Sequence, residues 1–245
     1  MSFFSSPEQL AEIEQIIRNY IRLPFSRDCI PGAVMEGVIA HVRSAQVLNT
    51  YDYVDVVEQG RCYGWQVKST KDDTPVTWKR AKIAGADKLI EESYKSEEGK
   101  QRLGDAIIEF CNKHARESIE HYGLEKIGYC RLITHGDGRI TYFERLLCTH
   151  EKPSIFNPAD FIWRWSTPKK TTKKEQLPAF HGIHRETGEG WWAWHGLGEN
   201  QLHFKGEKNW WPKPGDPHAR TFLWPSNRLS LAEFSRLLSN LDAVT

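Results

Sequence analysis

Two hairpin patterns, a set of amphipathic helices around them and a tryptophan-rich tail predict an α/β fold. The expected architecture is a mixed central β-sheet flanked by helices, with a Trp-rich, β-containing C-terminal region. The first hairpin pattern occupies residues 51–67. Residues 51–57 are β-branched and aromatic with acids among them, Glu58-Gln59-Gly60-Arg61 supplies a turn, and residues 62–67 form a second, largely apolar run. The second hairpin pattern pairs 126–134 with 139–148 around His135-Gly136-Asp137-Gly138. Apolar stripes at helical spacing in 6–22, 33–44 and 96–122 supply the covering helices.

Taken in order, Ser6 caps the first helix, Pro7 suits its first position, and Leu10, Ile13, Ile17 and Ile21 form its stripe, for core or dimer packing. Pro24 and Pro31-Gly32 break the chain. On the second helix Met35, Val38, Ile39 and Val42 make the buried face, and Glu36 falls beside it with Ala40 and Arg43 on its own side. An exposed Glu36 paired with Arg43 is one reading of that edge. After the first hairpin, Lys71 to Pro75 reads as a loop. Thr77 then caps a helix over 78–94, with Gly85 a weak point and Lys79, Arg80 and Lys82 crowding its first turns. Cations there oppose the helix macrodipole, so they serve either a solvated face or an anionic partner. Gly123 stops the long helix over 96–122.

Composition shifts after about residue 150. Eight of the ten tryptophans lie between Trp163 and Trp224, and five of the ten histidines between His181 and His218. Short strands are expected at 161–165, 180–185, 191–195 and 201–205. Pro212, Pro214 and Pro217 then mark an irregular link, and Ser230 caps a last helix through 241. Most of these tryptophans are read as core, with stacking on bases as the alternative. His181, His184 and His195 match no Cys/His zinc spacing. The expected division is therefore residues 1–150 and residues 151–245, the latter part of the same domain or a small subdomain.

The composition, 27% charged and 39% hydrophobic, predicts a soluble globular protein without a membrane span. The first residues lack the basic start and apolar core of a secretory signal. An odd count of five cysteines without a CxxC pair predicts reduced thiols and a cytoplasmic setting. A net charge of +1 means that any basic cleft is local. GxGxxG, GxxxxGK[ST] and GxSxG are absent, so no nucleotide cofactor is expected.

The chemistry converges on the first hairpin. Period two places Tyr53, Asp55 and Val57 on one face of its first strand and Gln66 and Lys68 on one face of the second. An acid, an amide and an ammonium therefore meet on one sheet face. Carboxylate and amide oxygens are hard donors suited to Mg²⁺. Asp52 competes with Asp55, which is preferred for its parity and for the apolar Val56-Val57 run that follows it.

An acid on one strand, then Gln66-Val67-Lys68 on the next, resembles the PD-(D/E)XK nuclease superfamily in its QXK variant, and among its members the type II restriction endonucleases. The resemblance covers roughly residues 33–83, with glutamine where most members carry an acid and no proline before the first acid. It implies a restriction-endonuclease-like fold in a prokaryotic cytoplasm and Mg²⁺-dependent cleavage of double-stranded DNA by a homodimer whose first helix is a candidate interface. Glu36, Asp55, Gln66 and Lys68 would be catalytic, with Asp55, Gln66 and the Val67 carbonyl on the metal. Ser69, Thr70, Lys71, Trp78, Lys79, Arg80 and Lys82 would meet DNA, and the Trp/His-rich region would be a recognition subdomain. A nuclease for branched or modified DNA, and a DNA-binding protein with a decayed core, remain as alternatives.

Overall fold

The structure, a computed structural model, describes residues 2–26, 29–48, 52–170 and 175–242. Its helices are α1 (Pro7–Arg22), α2 (Gly32–Val42), α3 (Ala86–Ser93), α4 (Glu97–Tyr122) and α5 (Leu231–Asp242). Its strands are β1 (Gln46–Val47), β2 (Val56–Glu58), β3 (Tyr63–Lys71), β4 (Val76–Arg80), β5 (Lys126–Thr134), β6 (Arg139–Thr149) and β7 (Phe161–Trp165). Then follow β8 (Lys169–Lys170), β9 (Glu175–Gln176), β10 (Phe180–His184), β11 (Gly190–Trp194), β12 (Gln201–Phe204) and β13 (Ala219–Leu223). The fold is mixed α/β with two main sheets.

The chain divides into two compact units, each discontinuous. One comprises Met1–Thr74, Lys126–Leu146 and Pro212–Thr245, and the other Pro75–Glu125 and Leu147–Trp211. The division thus does not fall at residue 150. Strands that pair across long stretches of sequence set it: β13 joins the first sheet, while β4 joins the strands of the tryptophan-rich region.

The first unit is built on a sheet of order β1-β2-β3-β5-β6-β13. β2 runs antiparallel to β3, β3 parallel to β5 and β13 antiparallel to β6, so the sheet is mixed. The parallel pair needs a long crossover, and residues 72–125 provide it. Ser6 and Gln9 close a capping box that starts α1 behind Pro7. The α1 stripe of Leu10, Ile13, Ile17 and Ile21 is buried in a cluster with Met35 and Ile39 of α2 and with Trp65 and Val67 of β3. This helix is therefore core, and its apolar stripe is not a free dimer face. By the pleat of β3, Gln66 and Lys68 point away from the face that carries Trp65 and Val67.

The first hairpin is shorter on one side and longer on the other than the sequence suggests. Tyr51 lies outside the described residues, Tyr53 is buried outside any strand, and β2 begins only at Val56. The turn is a single 3-10 turn over Gln59–Arg61, closed by Cys62 at φ 54°. β3 continues through Ser69, Thr70 and Lys71, which were expected to lie at or beyond the strand's end. The reason is its partner: the ladder to β5 runs unbroken from Tyr63 opposite Lys126 to Lys71 opposite Thr134.

The second unit holds an antiparallel sheet of order β4-β12-β11-β10-β7, with α3 and α4. The helix expected over 78–94 is replaced by β4, a turn and α3. Val76 and Trp78 alternate inward along β4 and Thr77 outward, and β12 supplies the ladder that local propensity could not announce. Gly85, the expected weak point, is the left-handed residue that precedes α3. The four short strands expected beyond residue 160 are present as β7, β10, β11 and β12, and β13 was missed in the proline-rich link. Trp78 packs edge-on against Phe156, Trp192, Phe204 and Trp210, and Trp210 stacks on Phe156, in a single aromatic core.

α4 seats on this core through Gly104. A Cβ there would stand 2.1 Å from Cδ1 and Nε1 of Trp163, whose ring stacks on Phe180. Helix propensity alone favours alanine by about 1 kcal/mol. The overlap reverses that sign, so Gly104→Ala should destabilise by about 1–3 kcal/mol in urea unfolding. Gly60→Ala, where a Cβ meets nothing within 4 Å, should leave the midpoint nearly unchanged. Equal midpoints for both variants would show that Trp163 moves aside freely.

Candidate active site

Asp55 sits where the β2–β3 ladder ends. Its N–H donates to the Trp65 carbonyl at 2.8 Å and its carbonyl accepts from Leu48 N–H at 2.9 Å, which fixes the backbone on both sides. One residue pair further along, the Asp55 side chain replaces the missing strand: Oδ2 accepts the Val67 N–H at 2.7 Å. In an extended strand the N–H and C=O of one residue point to the same edge. The Val67 carbonyl therefore lies on the strand edge that Asp55 faces.

Lys68 Nζ stands 3.8 Å from the same Asp55 Oδ2. Both side chains keep some water contact, with exposures of 20% and 25%. The pair can thus meet a ligand from solvent. Glu36 completes the group from α2. Its Oε1 would lie 3.6 Å from a Cβ on Gly32, so the carboxylate folds back over the first turn of that helix. Burial, then the charge of Asp55, holds its carboxyl above the ordinary glutamate range, and Lys68 opposes the rise.

Gln66 is 2% exposed, and its Oε1 is buried without a hydrogen-bond partner. A buried amide oxygen left unsatisfied costs about 1–3 kcal/mol. A hard cation would satisfy it. The donor set of Asp55, Glu36, the Gln66 amide oxygen and the Val67 carbonyl fits Mg²⁺ in chemistry. Among the described residues, no three His, Cys, Asp or Glu side chains gather closely enough to hold a metal by themselves. Any metal here would rely on the amide and the carbonyl.

The other expected contacts separate. The Ser69 hydroxyl donates to the Ile30 carbonyl at 2.6 Å, and the Thr70 hydroxyl accepts from Arg131 Nη2 at 2.6 Å, so both serve the fold. Lys71 is exposed at the end of β3. Trp78 is only 2% exposed and lies in the second unit's aromatic core, which removes it as a DNA contact. Lys79 and Arg80 lie on β4 and Lys82 follows it, the last two exposed. None of the three stands at a helix start. Arg43 does not pair with Glu36: it is buried against Glu58 and Glu144. Asp52 is exposed in a bend, and Asp55 is the acid that meets Lys68.

Two participants escaped the sequence reading. Arg131 stands opposite Lys68 in the β3–β5 register and is 1% exposed. An arginine inside the apolar run of β5 was the available signal. His135, read only as part of a turn, holds Asp72 through Nδ1 at 3.2 Å. No protein family, curated protein or solved structure matches the chain. Among the described residues, no helix is long and apolar enough to cross a membrane.

The raised Glu36 carboxyl has a stability consequence. The folded state holds this proton more tightly than the unfolded chain, so the contribution is full below the ordinary value of 4.5 and fades as pH rises through the folded value. Above it, Glu36 carries a charge its surroundings disfavour. Glu36→Gln should therefore raise the melting temperature at neutral pH and leave it unchanged near pH 4. Differential scanning calorimetry at the two pH values measures this, and a uniform gain at both would contradict the assignment.

Proposed function

We propose that the first unit is the catalytic part of a Mg²⁺-dependent endonuclease that cuts double-stranded DNA, in the manner of a type II restriction enzyme. The observation that carries this reading is the convergence on Asp55 Oδ2 of the Val67 N–H at 2.7 Å and Lys68 Nζ at 3.8 Å. An acid just before β2 and a lysine within β3 are thereby held together at the edge of solvent, with Glu36 in electrostatic reach of both.

Asp55, Gln66 Oε1 and the Val67 carbonyl would hold Mg²⁺, with Glu36 beside them. The ion would lower the pKa of a bound water and offset charge on the scissile phosphate. Lys68 orients the attacking water and stabilises the charge that builds on the phosphoryl oxygens. A glutamate with a raised pKa suits exchange of a proton with that water. The backbone bonds on either side of Asp55 keep its carboxylate in place, so little reorganisation is needed when substrate arrives. A two-fold dimer would match a palindromic site. With the α1 stripe buried, exposed apolar residues of this unit that could serve such a contact include Leu231, Leu237 and Leu238 on α5, besides Phe25, Leu146 and Leu223.

A non-catalytic DNA-binding protein with a decayed core is the second reading, favoured by the neutral amide at position 66. Incubation with unmethylated phage DNA and Mg²⁺, followed by sequencing of the ends, separates the two readings. Lys68→Ala should lower cleavage by about 10²–10³-fold and leave DNA binding largely intact. Asp55→Ala should abolish metal-dependent cleavage, while Asp52→Ala keeps most of it. Near-normal turnover by the Lys68 variant would sink the nuclease assignment.

Gln66→Glu adds a carboxylate to the donor set. It should shift the Mg²⁺ dependence of cleavage to lower concentration. Where Gln66 faces metal and phosphate together, the substitution should also weaken DNA binding in the absence of metal, because the new charge would stand near the phosphate. A Mg²⁺ titration of cleavage beside a metal-free binding titration tests both, and two unmoved curves would remove Gln66 from the ligand set.

A further inference from the structure

Strand β3, which carries Lys68, runs on into a cavity that the proposed chemistry does not use. Its volume is about 480 Å³, and Lys71, Asp72, Asp73, His135, Gly138 and Trp224 line it. That is within the roughly 300–1,000 Å³ of small-ligand pockets. Its walls are fixed. The Asp72 N–H donates to the Thr134 carbonyl at 3.2 Å, which continues the β3–β5 ladder past the strand end. His135 Nδ1 faces Asp72 Oδ2 at 3.2 Å and its Nε2 faces Thr141 Oγ1 at 2.9 Å. Asp72 is thereby oriented through one carboxylate oxygen, leaving the other to accept from a ligand. The Trp224 N–H donates to the Gly138 carbonyl at 2.8 Å and holds a half-buried indole against the β5–β6 turn. Gly138 has φ 83°, and a Cβ there would meet nothing within 4 Å, so the rim is open.

We propose that this cavity receives one nucleobase turned out of the nucleic-acid strand that lies along Lys68. The inference rests on the nuclease reading and adds a second point of contact to it. An indole face stacks on any base. A fixed carboxylate oxygen accepts from an exocyclic amino group, which cytosine, adenine and guanine carry and thymine lacks. Exposed Lys71 suits a flanking phosphate. Lys71 follows Lys68 by three residues, about 10 Å along an extended strand but on its opposite face. A nucleic-acid strand that reaches both would round the end of β3, so the base held here would lie at least about three nucleotides, at 3.4 Å each, from the scissile phosphate. Extrusion is easiest for a mismatched, damaged or unpaired base, so the cavity would favour such substrates.

The test uses the full chain in two arms. In the first, ¹⁵N-labelled protein without metal is titrated with each deoxynucleoside 5′-monophosphate while the Trp224 indole and the Gly136 and Gly138 amides are followed. Shifts should centre on these signals, with dTMP the weakest ligand. Trp224→Ala and Asp72→Ala should each weaken binding roughly tenfold, the first by losing the stacking face and the second by losing the acceptor. In the second arm, wild type and both variants are assayed for Mg²⁺-dependent cleavage of phage DNA, where the variants should lose about tenfold or more. If no nucleotide moves these signals, the pocket assignment is overturned even when wild type cuts DNA. Nucleotide binding with undiminished cleavage by both variants would overturn the turned-out base and leave a free nucleotide as occupant. A wild type that cuts no DNA would instead refute the nuclease reading, and the turned-out base with it.

Discussion

The first unit depends on one buried cation. The Arg43 guanidinium has no exposed surface, donates to Glu58 Oε1 at 2.9 Å and Glu144 Oε2 at 2.8 Å, and lies 3.7 Å over the Trp65 ring. It also donates to the Phe3 carbonyl and the Ser5 hydroxyl. Burial disfavours its charge, and Glu144, together with the other groups around it, offsets this and raises its pKa overall. Each acid takes further donors. Glu58 Oε1 accepts from Trp65 Nε1 at 2.7 Å, and Glu144 accepts from the Tyr142 hydroxyl and from Ser5. One guanidinium thereby ties the end of α2, strand β2, strand β6 and the N-terminal segment to the central strand. Breaking such a pair by removing one partner costs about 3–5 kcal/mol, a large share of the ~5–15 kcal/mol that holds a domain folded.

The candidate site inherits its geometry from that knot. Trp65 is fixed on one side by Arg43 and Glu58, and its carbonyl receives the Asp55 N–H. Two residues on, Val67 gives its N–H to the Asp55 carboxylate, and the next residue is Lys68. Each step is a backbone bond or a buried contact with little freedom. The acid and the lysine are thus positioned by β3 itself rather than by a loop. That is the condition under which a charged group contributes most to a reaction, because it need not reorient. The end of β2 is what frees one edge of β3 there: had the ladder run one residue pair further, its backbone would compete for the Val67 N–H.

What the sequence revealed was local. The Ser6 cap and Pro7 start of α1 and the stop at Gly123 are written within a few residues each, and the structure has both. The structure brings Asp55 to Lys68, although Asp55 precedes β2 and the strand parity used to prefer it over Asp52 does not apply. What the sequence hid was long-range. Val76-Thr77-Trp78 is a strand because β12, more than 120 residues later, pairs with it; beside Lys79, Arg80 and Lys82 the same residues read as a helix start. Arg43 looked like a surface residue because its acids, Glu58 and Glu144, lie on two strands that only the fold brings to it. Pairings of this kind also interleave the two units along the chain, which a shift in composition at residue 150 could not disclose.

The charge count around Lys68 bears on what the site can bind. Asp55 carries one negative charge and is paired with Lys68. Glu36 gives up its proton less readily than an ordinary glutamate, from burial and from Asp55 itself. Gln66 adds a dipole but no charge. A set with an acid at position 66 would repel the phosphate backbone more strongly and attract Mg²⁺ more strongly. The amide trades one against the other. In the proposed nuclease, DNA could dock against this site before a cation arrives, and the phosphate would supply the charge that the protein withholds. The cation would then be held jointly by protein and substrate, the mode in which Mg²⁺ is commonly bound through one or two carboxylates and substrate phosphates. In that proposal the buried Gln66 oxygen, which has no hydrogen-bond partner, would be one of the protein's donors to it.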